Sequence, residues 1–298
     1  MKIDRRDFLK LAGIGGVVFA SGLGGWGSAA RAKPPGEEDF FFVQLSDTHW
    51  GFTGPAINPD AAGTLKKAVV AVNRLKHQPD FVMFTGDLTH VTDDDNERRK
   101  RMAAVRDIIS ELKVKNVKFM PGEHDAGLDE AAAFKEFFGV THYTFDHKGV
   151  KFIVLDNVSD PTSSIGATQL EWLSAQLKQL PKDARIVVFT HRPLFDLYPE
   201  WDWYTRDGAK ALELLMPYQN VTVFYGHIHQ ENHHTTKQIA HHAAKGLMLP
   251  LPAPGSAPKN APIPWDPAAP YKGMGFREVE AKVKPVQYAL TELPVMGE

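Results

Sequence analysis

The chain has 298 residues, 43% of them hydrophobic, a formal net charge of −2 and no cysteine. That length and apolar content suffice for a sizeable core, in one large domain or two small ones. The near-balanced charge argues against a nucleic-acid surface, and the lack of cysteine excludes a disulfide framework, a thiolate metal site and a cysteine nucleophile.

The N-terminus comes first in chain order. Residues 1–32 carry a net charge of +3, and Asp4-Arg5-Arg6-Asp7-Phe8-Leu9-Lys10 resembles a twin-arginine export signal. A mild apolar stretch follows, too short and too weakly hydrophobic for a stable membrane anchor, which needs about 20 strongly apolar residues. Ala30-Arg31-Ala32 offers small residues at the −3 and −1 positions of a cleavage site. The expectation is a signal over residues 1–32, read by the twin-arginine export machinery, and a periplasmic or secreted mature chain starting at Lys33. That route carries folded proteins, so a metal could be loaded in the cytoplasm, where availability rather than raw affinity selects it.

Beyond the signal, strands alternate with helices, so an α/β domain is expected over residues 33–298. Residues 40–45, 81–84, 117–120, 150–155, 186–189 and 221–225 read as short apolar strands. Residues 64–77 and 97–113 carry apolar side chains at helical spacing. Thr168-Gln169-Leu170-Glu171 reads as a capping box, with Thr168 as N-cap of a helix that presents Leu170, Leu173, Leu177 and Leu180. Residues 250–270 contain eight prolines. They read as an extended surface loop, because proline lacks a donor N–H. Residues 276–281 and 286–290 alternate like an antiparallel hairpin within a C-terminal strand region, 271–292.

Five of the strands end in potential metal ligands: Asp47-Thr48-His49, Gly86-Asp87, Gly122-Glu123-His124-Asp125, Thr190-His191 and Gly226-His227-Ile228-His229. Ligands of open α/β sheets bind outside the carboxyl ends of strands, so these endings point to one site. Imidazole mixed with carboxylate suits Mn, Fe, Zn or Co. Asp-x-His and His-x-His on extended segments would put both side chains on one side, and each preceding glycine would permit a tight turn. A carboxylate such as Asp87 has two oxygens with which to bridge two cations. A pair of metals can clamp a phosphoryl group, activate water and steady a leaving oxygen.

Taken in this order, the five motifs resemble the calcineurin-like metallophosphoesterase superfamily, and in length and motif wording its small bacterial members related to cyclic-nucleotide phosphodiesterases. The resemblance implies a four-layer α/β/β/α sandwich of two mixed sheets flanked by helices. It implies two divalent or mixed-valence metal ions, one held by Asp47, His49, Asp87 and His229, the other by Asp87, residue 123, His191 and His227. It further implies hydrolysis of a small phosphomonoester or phosphodiester by a metal-bridging hydroxide. His124 would act at the phosphate or leaving oxygen, and Asp125 would orient it. The family usually has Asn where this chain has Glu123. That change adds a negative charge and leaves a second reading open, a periplasmic metal-binding protein with little or no turnover.

Weaker signals lie around these motifs. Arg192 could contact substrate phosphate or form a surface salt bridge. Trp201 and Trp203, with Tyr198 and Tyr204, could stack on substrate or simply pack a long loop. His90 sits three residues after Asp87 and could support a ligand. His233, His234, His241 and His242 read as solvated loop histidines, and Arg98-Arg99-Lys100-Arg101 as a solvated helix start.

Overall fold

The computed structural model describes residues 38–54, 57, 59, 61–282 and 286–295. The export signal lies outside the described residues. Two mixed sheets stack face to face. The first has five strands in the order β11 (Gln287–Pro294), β10 (Gly275–Lys282), β1 (Phe40–Leu45), β2 (Phe81–Thr85) and β3 (Val117–Met120). The second has six: β4 (Tyr143–His147), β5 (Val150–Val154), β6 (Arg185–Phe189), β7 (Asn220–Tyr225), β9 (Ile239–Ala243) and β8 (Asn232–Thr236). Within them β1, β2 and β3 run parallel, as do β5, β6, β7 and β9. The C-terminal hairpin is antiparallel and joins the first sheet beside β1.

Alternation along each strand explains the layering, because successive side chains of a strand point to opposite faces. Phe40 and Phe42 of β1, Phe81 and Met83 of β2, Phe152 of β5, Phe189 of β6 and Phe224 of β7 fill the space between the sheets. Phe42 stacks on Phe81 at 4.8 Å and meets Phe152, Phe189 and Phe224 edge-on. Val43, Leu45, Val82 and Phe84 point the other way, onto α1 (Ala61–Arg74), α2 (Asp95–Ser110) and, after α3 (Glu123–Ala126), α4 (Ala132–Phe138). On the far side, Ile153, Ile186, Val188, Val221 and Val223 pack against α5 (Ala167–Lys178) and α6 (Gly208–Leu215). The four-layer α/β/β/α arrangement expected from the sequence is therefore observed.

Local readings need four corrections. Thr168 does not cap α5: the N-cap position is Gly166, two residues earlier, and no side chain caps it. Asp207 instead braces the turn that leads into the helix, accepting from the N–H groups of Ile165 and Gly166 at 2.8 and 2.9 Å. The start of α2 is also earlier than expected, because Asp94 Oδ1 accepts from the N–H groups of Asn96 and Glu97. Its arginines are not simply solvated, since Arg98 is buried and donates to Asp129 and to the Thr92 carbonyl, both at 3.0 Å. Lastly, the histidine pairs are not loop residues. They form the β8–β9 hairpin, with His233 opposite His242 and His234 opposite His241.

That hairpin makes the fold acid-sensitive. His241 and His242 are buried, and neither ring nitrogen of His241 has a hydrogen-bond partner. Burial, reinforced by nearby positive groups, pushes His241 down to about 3 and His242 down to about 2. Both values lie below that of an unfolded histidine, about 6.5, so the unfolded chain binds more protons as pH falls. Their contribution to stability is full above about pH 6.5 and should be lost by on the order of 2–3 kcal/mol per pH unit between pH 6 and 4. Urea titrations at stepped pH check this. The wild-type midpoint should fall more steeply than that of a His241→Phe/His242→Gln double variant, and parallel curves would refute the assignment.

Candidate dinuclear metal centre

The carboxyl ends of β1, β2, β3, β6 and β7 converge at one end of the sandwich. Beyond β1 and β2 the ladder continues as paired loops: Asp47 N–H donates to Gly86 O at 3.0 Å, His49 N–H to Asp87 O at 2.9 Å and Trp50 N–H to Leu88 O at 3.1 Å. Across the gap, Gln44 donates to Tyr225 O and His227 N–H donates to Asp47 Oδ1, each at 3.1 Å. These links lock the two sheets in the register that builds the site.

The side chains reach the site by sharp turns, not by extended pairs. Asp47, His49, Asp87, His227 and His229 all adopt positive φ, between 40° and 65°. This left-handed region is uncommon for residues other than glycine, and such strain concentrates at functional sites. The preceding glycines contribute in two ways. Gly86 has a φ of +96° and would put a Cβ 2.4 Å from His191 Nδ1. Gly122 has ordinary extended φ, and its need is space, since a Cβ there would lie 2.0 Å from Asp87 Oδ1.

Two ligand clusters result. Asp47, His49, Asp87 and His229 form one, and Glu123, His191 and His227 the other. In the first, His49 Nε2 lies 3.0 Å from His229 Nε2 and 3.4 Å from Asp87 Oδ2. In the second, Glu123 Oε2 is 3.0 Å from His191 Nε2 and Oε1 is 2.9 Å from His227 Nδ1. Asp87 Oδ2 stands between them, 3.4 Å from His49 Nε2 and 3.4 Å from His191 Nε2. The donor set fits cations. Asp47 Oδ2, Glu123 Oε2, His191 Nε2 and His227 Nδ1 are all buried without a hydrogen-bond partner, and oxygen and imidazole donors suit divalent transition metals.

Supporting groups set the tautomers. His191 Nδ1–H donates to Thr85 O at 2.7 Å and His229 Nδ1–H to Leu249 O at 2.8 Å, leaving each Nε2 lone pair aimed inward. His227 is reversed, its Nε2–H donating to Asp202 O at 3.3 Å. His49 Nδ1 meets His90 Nδ1 at 3.2 Å, which places His90 directly behind a candidate ligand. Burial and the neighbouring His124 push His90 down to about 4, which keeps it neutral near pH 7. Burial disfavours charge on both Glu123 and His191, but their mutual attraction and the surrounding charges outweigh it. Glu123 is held well below the usual carboxylate range and His191 well above the usual imidazole value. A cation entering this cluster must displace the His191 proton.

The calcineurin-like phosphoesterase family profile matches residues 42–231, most of the chain and all five motifs. The chain belongs to the calcineurin-like phosphoesterase family. Among relatives, it is 30% identical over 162 residues to a probable glycerophosphodiester phosphodiesterase, GpdQ, of Arcobacter nitrofigilis, covering 51% of this chain and 56% of that one. The match thus spans little more than half of that relative. It is 25% identical over 233 residues to a probable cyclic nucleotide phosphodiesterase, RPA0124, of Rhodopseudomonas palustris, covering 69% of this chain and 77% of the relative. The fold is similar to that of a dimetal phosphatase from Danio rerio, with a TM-score of 0.55 at 16% identity, covering 87% of this chain and 99% of the other.

Against the family pattern, several expectations change. Asp125 does not hydrogen-bond His124 among the described contacts. It accepts from the N–H groups of Leu88, Thr89 and Gly122 at 2.8 to 3.0 Å and from Thr89 Oγ1 at 3.0 Å. The tautomer of His124 is set instead by Val91 N–H, which donates to Nδ1 at 3.3 Å and leaves the proton of the neutral ring on Nε2. Arg192 is buried, pairing with the exposed Asp202 carboxylate on one side and lying 3.6 Å from Glu123 on the other. A cavity of about 260 Å³ opens onto both clusters, with Trp203, Leu249, Leu251, Asn260 and Pro262 in its wall. Trp203 lines it, whereas Trp201 packs behind, edge-on to Trp203 at 5.1 Å, and Arg192 is not in the lining. The sequence reading missed Leu249, Leu251, Asn260 and Pro262. The proline run that begins at Pro250, after the β8–β9 hairpin, was the available signal: a chain that cannot pair into a sheet must lie over other structure.

Proposed function

We propose that the chain is a metal-dependent phosphoesterase that hydrolyses a small phosphomonoester or phosphodiester outside the cytoplasm. The observation that carries this reading is the Asp87 carboxylate oxygen, equidistant at 3.4 Å from a histidine of each ligand cluster in a chain of this family. Asp47, His49, Asp87 and His229 would hold one cation, and Asp87, Glu123, His191 and His227 the other. When bound, such a pair supplies water activation and neutralises phosphate charge. The chain's own residues do the rest. His124, with its proton on Nε2, donates a hydrogen bond to the leaving oxygen and steadies the charge that develops there. His90, stacked on it at 4.5 Å, and Val91 N–H hold its ring. Phe52, Leu249, Leu251 and Pro262 exclude water around the departing group, and Asn260 offers it a polar contact.

The twin-arginine-like N-terminus supports export to the periplasm, and the donor set supports Mn, Fe, Zn or Co. No described helix is long and apolar enough to cross a membrane. The experiment starts from protein recovered from the periplasmic fraction, which tests export at the same step. Chelated protein is refilled with each metal, and hydrolysis of p-nitrophenyl phosphate and bis(p-nitrophenyl) phosphate is followed. Turnover should require close to two cations per chain. A His124→Asn variant should keep both cations and lose about 10²–10⁴-fold in kcat. Full loading with no turnover on a broad phosphoester panel would favour the second reading, a non-catalytic metal-binding protein, for which the extra charge of Glu123 is the motivating feature.

A further inference from the structure

We propose that Arg192 is the built-in counter-charge of Glu123, so that the two act as one unit where the family pattern uses a neutral ligand. This goes beyond the phosphoesterase reading and rests on it only for the cation readout below. Glu123 adds a third carboxylate to Asp47 and Asp87, all within one small buried volume. Such crowding is costly unless each charge is paired. Arg192 Nε, which has no hydrogen-bond partner of its own, lies 3.6 Å from Glu123 Oε2, on which His191 Nε2 also closes at 3.0 Å. The guanidinium therefore faces the carboxylate as a charge and leaves the oxygen's lone pairs to the ligand cluster.

The arginine is held there from both ends. Its backbone is clamped by the buried Asn157, whose Nδ2 donates to Arg192 O at 3.0 Å and whose Oδ1 accepts from Arg192 N at 3.4 Å. Its Nη1 donates to Asp202 O at 2.9 Å and pairs with the Asp202 carboxylate. That same carbonyl accepts from His227 Nε2, and His227 Nδ1 meets the other Glu123 oxygen at 2.9 Å. Asp202 itself adopts a φ of 61°, a conformation that turns its carbonyl inward while its carboxylate stays largely exposed. A ring of contacts thus runs Glu123–Arg192–Asp202–His227–Glu123. Arg192 is 5% exposed and lies outside the cavity lining, where a phosphate could not reach it directly. On this geometry it is a positioning residue and not a substrate ligand.

A double-mutant cycle on the full chain tests the unit. Arg192→Gln is made alone and with Glu123→Gln, and Glu123→Asn serves as a second neutral background. In metal-free protein, Arg192→Gln should lower the Tm by about 5 °C when Glu123 is present and by less than about 2 °C in either neutral background. Arg192→Lys keeps a charge without the planar fork and should recover part of the loss only when Glu123 is present. Competition with a zinc-binding dye provides the second readout. Arg192→Gln should bind Zn²⁺ about tenfold more tightly than wild type, because a fixed cation no longer opposes the incoming one. Equal Tm losses in all backgrounds would reduce Arg192 to a packing element and overturn the proposal. So would unchanged Zn²⁺ affinity combined with a raised KM in every background, the pattern of a phosphate ligand.

Discussion

On the proposed two-cation centre, replacing Asp87 by Asn should reduce turnover at least about 10³-fold and lower the bound metal to one cation per chain or none. Several kcal/mol of charge stabilisation depend on both cations being present, and each 1.36 kcal/mol is a factor of ten. The substitution is nearly isosteric. Its carbonyl can still accept the His124 N–H that Asp87 Oδ1 accepts at 3.0 Å. What disappears is the charge on the oxygen 3.4 Å from both His49 and His191. Burial and the Glu123 charge push the Asp87 carboxyl up, but His191, His124 and His49 outweigh them, so it stays ionised well into acid. In metal-free protein the Tm should fall, because the ionised carboxylate is held by His191, His124 and His49, and its loss leaves the protonated His191 without a principal counter-charge. Elemental analysis, a phosphoester assay and calorimetry together read the result. Two bound cations and more than a tenth of wild-type activity would remove Asp87 from its bridging role.

Asp125→Ala should act on the scaffold of the site. The carboxylate is 1% exposed and accepts from three backbone N–H groups and one hydroxyl. Those bonds tie the turn after β2 to the turn after β3, and so fix Asp87 relative to Glu123. Unpaired buried donors cost about 1–3 kcal/mol each, reduced where water enters, so a net loss of about 3–5 kcal/mol is expected. The corresponding fall in Tm is on the order of 10 °C. Asp125→Asn retains an acceptor and should fall between alanine and wild type. Turnover should drop with metal retention, since both clusters loosen. If Asp125→Asn instead shifted the pH profile of turnover while leaving the Tm intact, the original expectation that Asp125 orients His124 would be restored.

Most of the architecture could be read from patterns with a short range. The apolar runs of β1, β2, β5, β6 and β7 follow from burying both faces of a strand, and the helical spacing of Leu65, Ala68, Val69 and Val72 from burying one face of a helix. Less legible were β4, β8 and β9. Residues 232–236, Asn-His-His-Thr-Thr, carry no apolar alternation at all, and their strand exists because β9 offers a partner. The cap of α5 was missed for a related reason. Thr168 fits a local rule, but the helix is already under way at Ala167, behind a turn braced by Asp207, 41 residues beyond Gly166.

The sequence by itself determined the ligand inventory, its order along the chain and the family, because donor chemistry is a property of residue type and the strand-end placement follows from hydrophobic runs. It also exposed Glu123 as the departure from the family pattern. Only the tertiary structure decided which groups answer to one another. Asp125 serves Leu88, Thr89 and Gly122 instead of its neighbour His124, and Arg192 is buried between Glu123 and Asp202. The reason is that a buried polar group takes whichever partner the packed backbones bring within hydrogen-bond or Coulomb reach. That proximity is created when two sheets stack, between residues tens of positions apart.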